Sequence, residues 1–301
     1  MCKLSMILDR LNSITNNTSI SIYFTQKTRL GYTTFKPNVN SSLLSELVEL
    51  IKDSIEAHIS ADIENFNPIT CKDGIIERCN VDYVGNFKEV LDSFSDPDYV
   101  ETGMNVNNLT FYCIEVNDGD SVYRFFRRVT KFRRLSASGI LAWFSGNELN
   151  KMEQQMLGLD GFIDLVCVDD EIYIFNHIAL ERIFRLNEKY TSKAKEALSV
   201  LKSADGISNF DQFEEDCLSD QRYHKTLSKM IDCNDNLGDV FKNFSSILQV
   251  IDMFDLDIEV EEGDKPRLRY DDKKQRMDIL RIINDAYYRS IIGKRTGIDD
   301  N

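Results

Sequence analysis

The run SVYRFFRRVTKFRRL, residues 121–135, sets Arg124, Arg127, Arg128, Lys131, Arg133 and Arg134 among Tyr123, Phe125, Phe126 and Phe132, with no acidic residue between them. A guanidinium group presents a planar fork of donors that fits phosphate oxygens. Aromatic rings beside it either stack on unpaired bases or fix a strand in a core. The chemistry implied is local contact with the phosphates of a nucleic acid, DNA or RNA. A strand would split the run: Arg124, Arg128 and Arg134 fall on one face with Phe126 and Phe132, while Arg127, Lys131 and Arg133 share the other with Phe125. Two other uses compete. The cations could pair with carboxylates of the same chain or of a second subunit, or they could hold a small anionic ligand.

Carboxylates offer a second chemistry. Asp164 and Glu171 sit on two apolar runs joined by an acidic turn, and carboxylates on adjacent strands can share a divalent cation, as in a PD-(D/E)xK nuclease. That pattern needs a lysine two residues after the second acid, where this chain has Tyr173. Asp169, Asp170 and Glu171 therefore read as turn and strand-edge residues. No GxSxG elbow, Cys–His signature, Walker loop or GxGxxG turn is present. The three histidines, His58, His177 and His224, read as surface or cap residues. No catalytic residue, metal or cofactor is expected, and the chain reads as non-enzymatic. A second basic group, Lys273, Lys274, Arg276, Arg281, Arg289, Lys294 and Arg295, is diluted by acids and reads as the solvated face of a terminal helix.

The elements that must position these residues follow from periodicity. TSISIYFTQ reads as a first strand, and YTTFKP continues the sheet. Leu43, Leu44, Leu47, Leu50, Ile51 and Ile55 fall at helical spacing, with Ser41 or Ser42 as cap. NFKEVLDSF reads as a shorter helix. LTFYCIEVN and SVYRFFRRVTKF flank Asp118-Gly119, a hairpin signal. SGILAWF adds a strand, and GNELNKMEQQML a short polar helix or loop. FIDLVCV and EIYIF read as a hairpin buried on both faces, with Asn176 capping a helix that presses Ile178, Leu180, Ile183 and Phe184 onto the sheet. Beyond Asn176 the pattern is helical, through Ala194 to Leu201, Val240 to Phe254 and Met277 to Ile292. The fold class is α+β: a mainly antiparallel N-terminal sheet with helices over residues 1–176, and a helical domain over 177–301.

Composition bounds the rest. Of 301 residues, 36 are Lys or Arg and 50 are Asp or Glu, a net charge of −14. That excludes a surface coated with phosphate contacts. Acids crowd IDMFDLDIEVEEGD, an exposed acidic stretch. Seven scattered cysteines without metal-like spacing fit a reducing cytoplasm. No apolar run approaches the roughly 18–20 residues that cross a bilayer, so no direct membrane insertion is expected.

GFIDLVCVDDEIYIFNHIALERIF, residues 161–184, combines an apolar strand with an Asp, an acidic turn, an IYIFN strand and a helix near ERIF. It resembles the hallmark segment of the KwaB-like family of the Kiwa anti-phage defence system. VYRFFRRVTKFRRL is similar to that family's basic strand region, and the likeness spans residues 109–190. It implies an antiviral, DNA-binding effector working with a membrane-embedded KwaA-like partner: a cytoplasmic homo-oligomer recruited to the inner face of the membrane. An adaptor without nucleic-acid binding and a degenerate metal-dependent nuclease remain open beside it.

Overall fold

The computed structural model of the protein describes residues 3–14, 18–98, 104–129, 142–146, 148–151, 157–234 and 236–299. Two compact units divide the chain: Met1–Phe66 with Lys72–Arg185, and Asn67–Cys71 with Leu186–Asn301. The large sheet and the helices around it place the fold in the α+β class.

The first unit is built on eight strands: β1 (Ser19–Thr28), β2 (Gly31–Phe35), β3 (Ile63–Asn65), β4 (Ile76–Asn80), β5 (Phe111–Asn117), β6 (Val122–Arg128), β9 (Leu165–Val168) and β10 (Glu171–Ile174). Their spatial order is β2-β1-β5-β6-β9-β10-β4-β3. All neighbours run antiparallel except β3 and β4. A separate hairpin pairs β7 (Ala142–Ser145) with β8 (Glu148–Lys151) through Gly146 at φ 62°. This segment reads from sequence as polar helix or loop, but the left-handed turn that glycine permits folds it back as a strand.

The sheet is covered on both faces, which is why its central strands are almost continuously apolar. Tyr123 and Phe125 of β6 join Leu4, Ile7 and Leu11 of α1 (Lys3–Asn12) and Leu47, Ile51 and Ile55 of α2 (Ser41–Glu56) in one core. One residue on, Phe126 points the other way. Its ring lies 6.3 Å from Phe94 of α3 (Phe87–Ser95) and 5.6 Å from Phe184, which closes α4 (His177–Ile183). Helix α1 carries Leu4, Ile7, Leu8 and Leu11 at helical spacing, a signal left out of the sequence-based expectations. The cap of α2 is Asn40, whose side chain accepts from the Leu43 N–H, rather than Ser41 or Ser42. Asn176 caps α4 as expected, accepting from Ala179 N–H at 3.2 Å. Leu180, Ile183 and Phe184 are buried, but Ile178 is exposed and Ala179 takes the inward position.

In the second unit α5 (Leu186–Ala204) packs along α7 (Gln221–Cys233). Their apolar faces share a core with α6 (Phe210–Leu218), α8 (Phe244–Phe254) and α9 (Gln275–Ile283). The pattern is less purely helical than its periodicity implies. β11 (Ile207–Ser208), β13 (Arg267–Arg269) and β12 (Val260–Glu261) form a small sheet, and β14 (Tyr287–Arg289) pairs with β15 (Thr296–Ile298). The helix expected to reach Ile292 ends at Ile283. Asp285 turns left-handed at φ 52°, and Ala286 N–H donates back to Arg281 O at 2.9 Å, a six-to-one closure that seals the helix end. Arg289, Lys294 and Arg295 therefore stand on a hairpin rather than on a helix face.

Candidate nucleic-acid interface

The basic run enters the fold as β6, held between β5 and β9. A tight turn sets its register: Asp118 Oδ1 accepts from the backbone N–H groups of Asp120 and Ser121, and Gly119 takes φ 94°. Counting back from that turn puts Glu115 opposite Arg124. Arg124 Nε donates to Glu115 Oε2 at 2.8 Å, a cross-strand pair that neutralises the first cation of the run.

Arg127 is held more completely. Its Nε and Nη2 donate in a fork to the two oxygens of Asp160 at 2.8 and 2.7 Å, and its Nη1 donates to Asp164 Oδ1 at 2.9 Å. Phe162 lies over the guanidinium at 5.4 Å. Burial works against the charge of Arg127, yet the two carboxylates outweigh it and hold the group more firmly protonated than usual. Asp164 is fully buried, and its other oxygen accepts the Arg128 backbone N–H at 2.7 Å. Tyr112, whose hydroxyl donates to Asp160 O at 3.4 Å, has its pKa raised by burial and by the charge of Asp160.

Arg128 differs. Its Nε stands 3.5 Å from Asp164 Oδ2 without forming a hydrogen bond, and its side chain stays about a quarter exposed at 27%. Lys131, Arg133 and Arg134 lie outside the described residues. Among the described cations of the run, two are thus bound firmly to internal acids and one is only approached by one. Sequence reasoning missed both main partners. Glu115 is recoverable by counting from Asp118-Gly119. Asp160 comes from the loop before β9, where nothing in the spacing announces it.

Asp164 and Glu171 do not form a metal pair. Leu165 is level with Ile174 and Val168 with Glu171. Asp164 is therefore four residues along the hairpin from Glu171, about 13 Å at about 3.3 Å per residue. Glu171 instead accepts from Tyr173 OH at 2.7 Å, the position where a nuclease lysine would stand. Asp169, at φ 52°, makes the turn.

Two histidines depart from the expected surface or cap role. His177 Nδ1 lies 2.8 Å from Glu77 Oε2 of β4, and its Nε2 lies 3.3 Å from Glu181 Oε1 on α4, with all three side chains largely buried. Burial alone would lower its pKa, but hydrogen bonding to Glu181 and Glu77 raises it to about 9. In the second unit His224 is buried between Thr191 Oγ1 at 3.1 Å and Leu218 O at 3.0 Å. His58 is exposed.

A family model described as Kiwa protein KwaB-like matches residues 106–293, a span running from before β5 into the last hairpin. No curated protein and no solved structure matches the chain.

Proposed function

The chain belongs to the Kiwa protein KwaB-like family, and from that membership we propose an anti-phage defence protein that grips DNA phosphates with the distal half of its basic run. Arg128, Lys131, Arg133 and Arg134 are the contacts. Arg124 and Arg127 are struts that fix the strand leading to them. The observation that supports this division is the hydrogen bonding of β6: Arg124 and Arg127 donate to Glu115, Asp160 and Asp164, whereas Arg128 only approaches Asp164 at 3.5 Å. From Ser121 to Asn147 the chain has no acidic residue, so Lys131, Arg133 and Arg134 have no neighbouring carboxylate in sequence. Contacts of this kind read charge and groove geometry rather than bases, which makes the binding non-specific. The reading includes a membrane-embedded KwaA-like partner, self-association, and a cytoplasmic site of action at the inner face of the membrane.

Fluorescence anisotropy on duplex DNA tests the DNA contact. Replacing Arg128, Lys131, Arg133 and Arg134 together by Ala is expected to abolish binding while leaving the thermal unfolding midpoint close to that of the parent chain. Undiminished binding by that folded variant would overturn the assignment. The tight pairing of Arg124 and Arg127 favours a second reading, an adaptor without nucleic-acid binding. In that case the parent chain binds DNA no better than an unrelated protein of equal negative charge.

A further inference from the structure

The turn between β14 and β15 carries the most exposed adjacent pair of large apolar residues described: Ile291 is 86% exposed and Ile292 98%. The turn is not loose. Ser290 N–H donates to Arg295 O at 2.8 Å, Lys294 N–H to Ser290 O at 3.0 Å, and Arg295 N–H to Ser290 Oγ at 3.0 Å. A closed turn thus holds two isoleucines out in water, where removing either side chain from water would be favourable. Around them stand Arg289, Lys294 and Arg295, all exposed, and no described carboxylate pairs with any of the three. Other exposed cations of this acidic chain, such as Arg222, Arg267 and Arg269, do pair with acids. Below the cations, on the strands, Tyr288 lies across Gly297, and a Cβ there would meet its ring at 2.6 Å. Half of that tyrosine, 52%, remains in solvent.

We propose that the tip of this hairpin docks into the interface of an anionic lipid bilayer, with Ile291 and Ile292 entering the acyl boundary and Arg289, Lys294 and Arg295 meeting lipid phosphates. Each tier suits its depth. Aliphatic side chains lead, cations follow at headgroup level, and an amphipathic aromatic ring comes last, where tyrosine is favoured at membrane surfaces. A nucleic acid would use the cations but gives two bare isoleucines nothing to enter. A specific protein partner ordinarily covers about 800 Å² on each side, far more than one turn offers. Repulsion between the acidic body and the lipid is screened beyond about 8 Å at physiological ionic strength. Only acids near the tip then count, and those closest in sequence, Asp285 and Asp299, lie at the base of the hairpin. The contact is shallow and crosses nothing, yet it departs from the expectation of no direct membrane insertion, because hydropathy windows do not register a two-residue tip. It goes beyond the proposed DNA contact and needs none of those residues.

Co-sedimentation of the full chain with protein-free vesicles tests it, comparing phosphatidylcholine alone with phosphatidylcholine containing phosphatidylglycerol. Binding is expected only to the anionic vesicles. Ile291→Ser with Ile292→Ser is expected to weaken it by about tenfold or more, while DNA affinity stays unchanged. Arg289→Ser, Lys294→Ser and Arg295→Ser together are expected to abolish it. No binding to anionic vesicles, or binding only when a membrane protein is reconstituted into them, would overturn the proposal. So would vesicle binding indifferent to the isoleucines, which marks charge adhesion alone.

Discussion

Asp164 is the side chain on which the basic strand turns. Fully buried, it accepts from Arg127 Nη1 and from the Arg128 backbone, while its own carbonyl accepts from Phe175 and Asn176 N–H groups. Removing it leaves Arg127 with Asp160 alone and the Arg128 N–H without its acceptor, and two lost hydrogen bonds to a charged group cost about 3–6 kcal/mol together. Asp164→Ala is therefore expected to destabilise the first unit by that amount in urea denaturation. Arg128→Ala, which removes no hydrogen-bonded side chain, is expected to cost under about 1 kcal/mol. Equal losses in the two variants would contradict the division of the run into struts and contacts. The same network shows the use to which Asp164 is put: a lone acid in an apolar strand is as well suited to anchoring an arginine as to holding a metal. Composition cannot separate the two uses, because the deciding partner, Asp160, arrives from a loop.

Between elements, the clearest electrostatic tie is the one joining β4 to α4 through His177. Glu77 and Glu181 raise its pKa from 6.5 to about 9. A raised folded-state pKa favours the folded, protonated form, so the stabilisation is complete below about pH 6.5 and is lost as pH rises through about 9. The thermal midpoint of the first unit should accordingly fall between those values, and His177→Gln should flatten that part of the profile. An unchanged slope in the variant would show that other groups set it. Much of this unit was legible beforehand. The Asp118-Gly119 turn, the double-faced apolar run of β9 and β10, and the Asn176 cap are local signals, and each formed where its chemistry pointed. What was not legible depends on distant partners. α1 is an exception, legible in the helical spacing of Leu4, Ile7, Leu8 and Leu11 but not read from it, and those residues find the sheet core. The terminal helix stops early because Asp285 accepts a left-handed turn that an Asn-Asp pair suggests only weakly. β8 follows from one glycine. The candidate site stands in the sequence as a patch of charge, but which of its described cations are held by acids depends on pairing between segments that sequence order keeps apart.

At the scale of the whole molecule, with its net charge of −14, the proposed DNA contact is tested by its dependence on salt. Each phosphate neutralised releases condensed counterions, giving a slope of about −0.9 in log affinity against log salt on duplex DNA. Four contacts, from Arg128, Lys131, Arg133 and Arg134, give a slope of about −3 to −4, whereas all six cations of the run would give about −5. Anisotropy titrations across a salt series distinguish the two outcomes. The variant Arg124→Ala sharpens the comparison, because a strut removed changes stability and leaves the slope alone, while a contact removed lowers its magnitude by about one. Glu115 adds a second handle. Glu115→Gln frees Arg124 from its partner at 2.8 Å, and the slope should then steepen only if the liberated guanidinium can reach phosphate. A steep parent slope near that of all six cations, insensitive to Glu115, would mean that the internal ion pairs open on binding and that the strand itself is the DNA-binding surface.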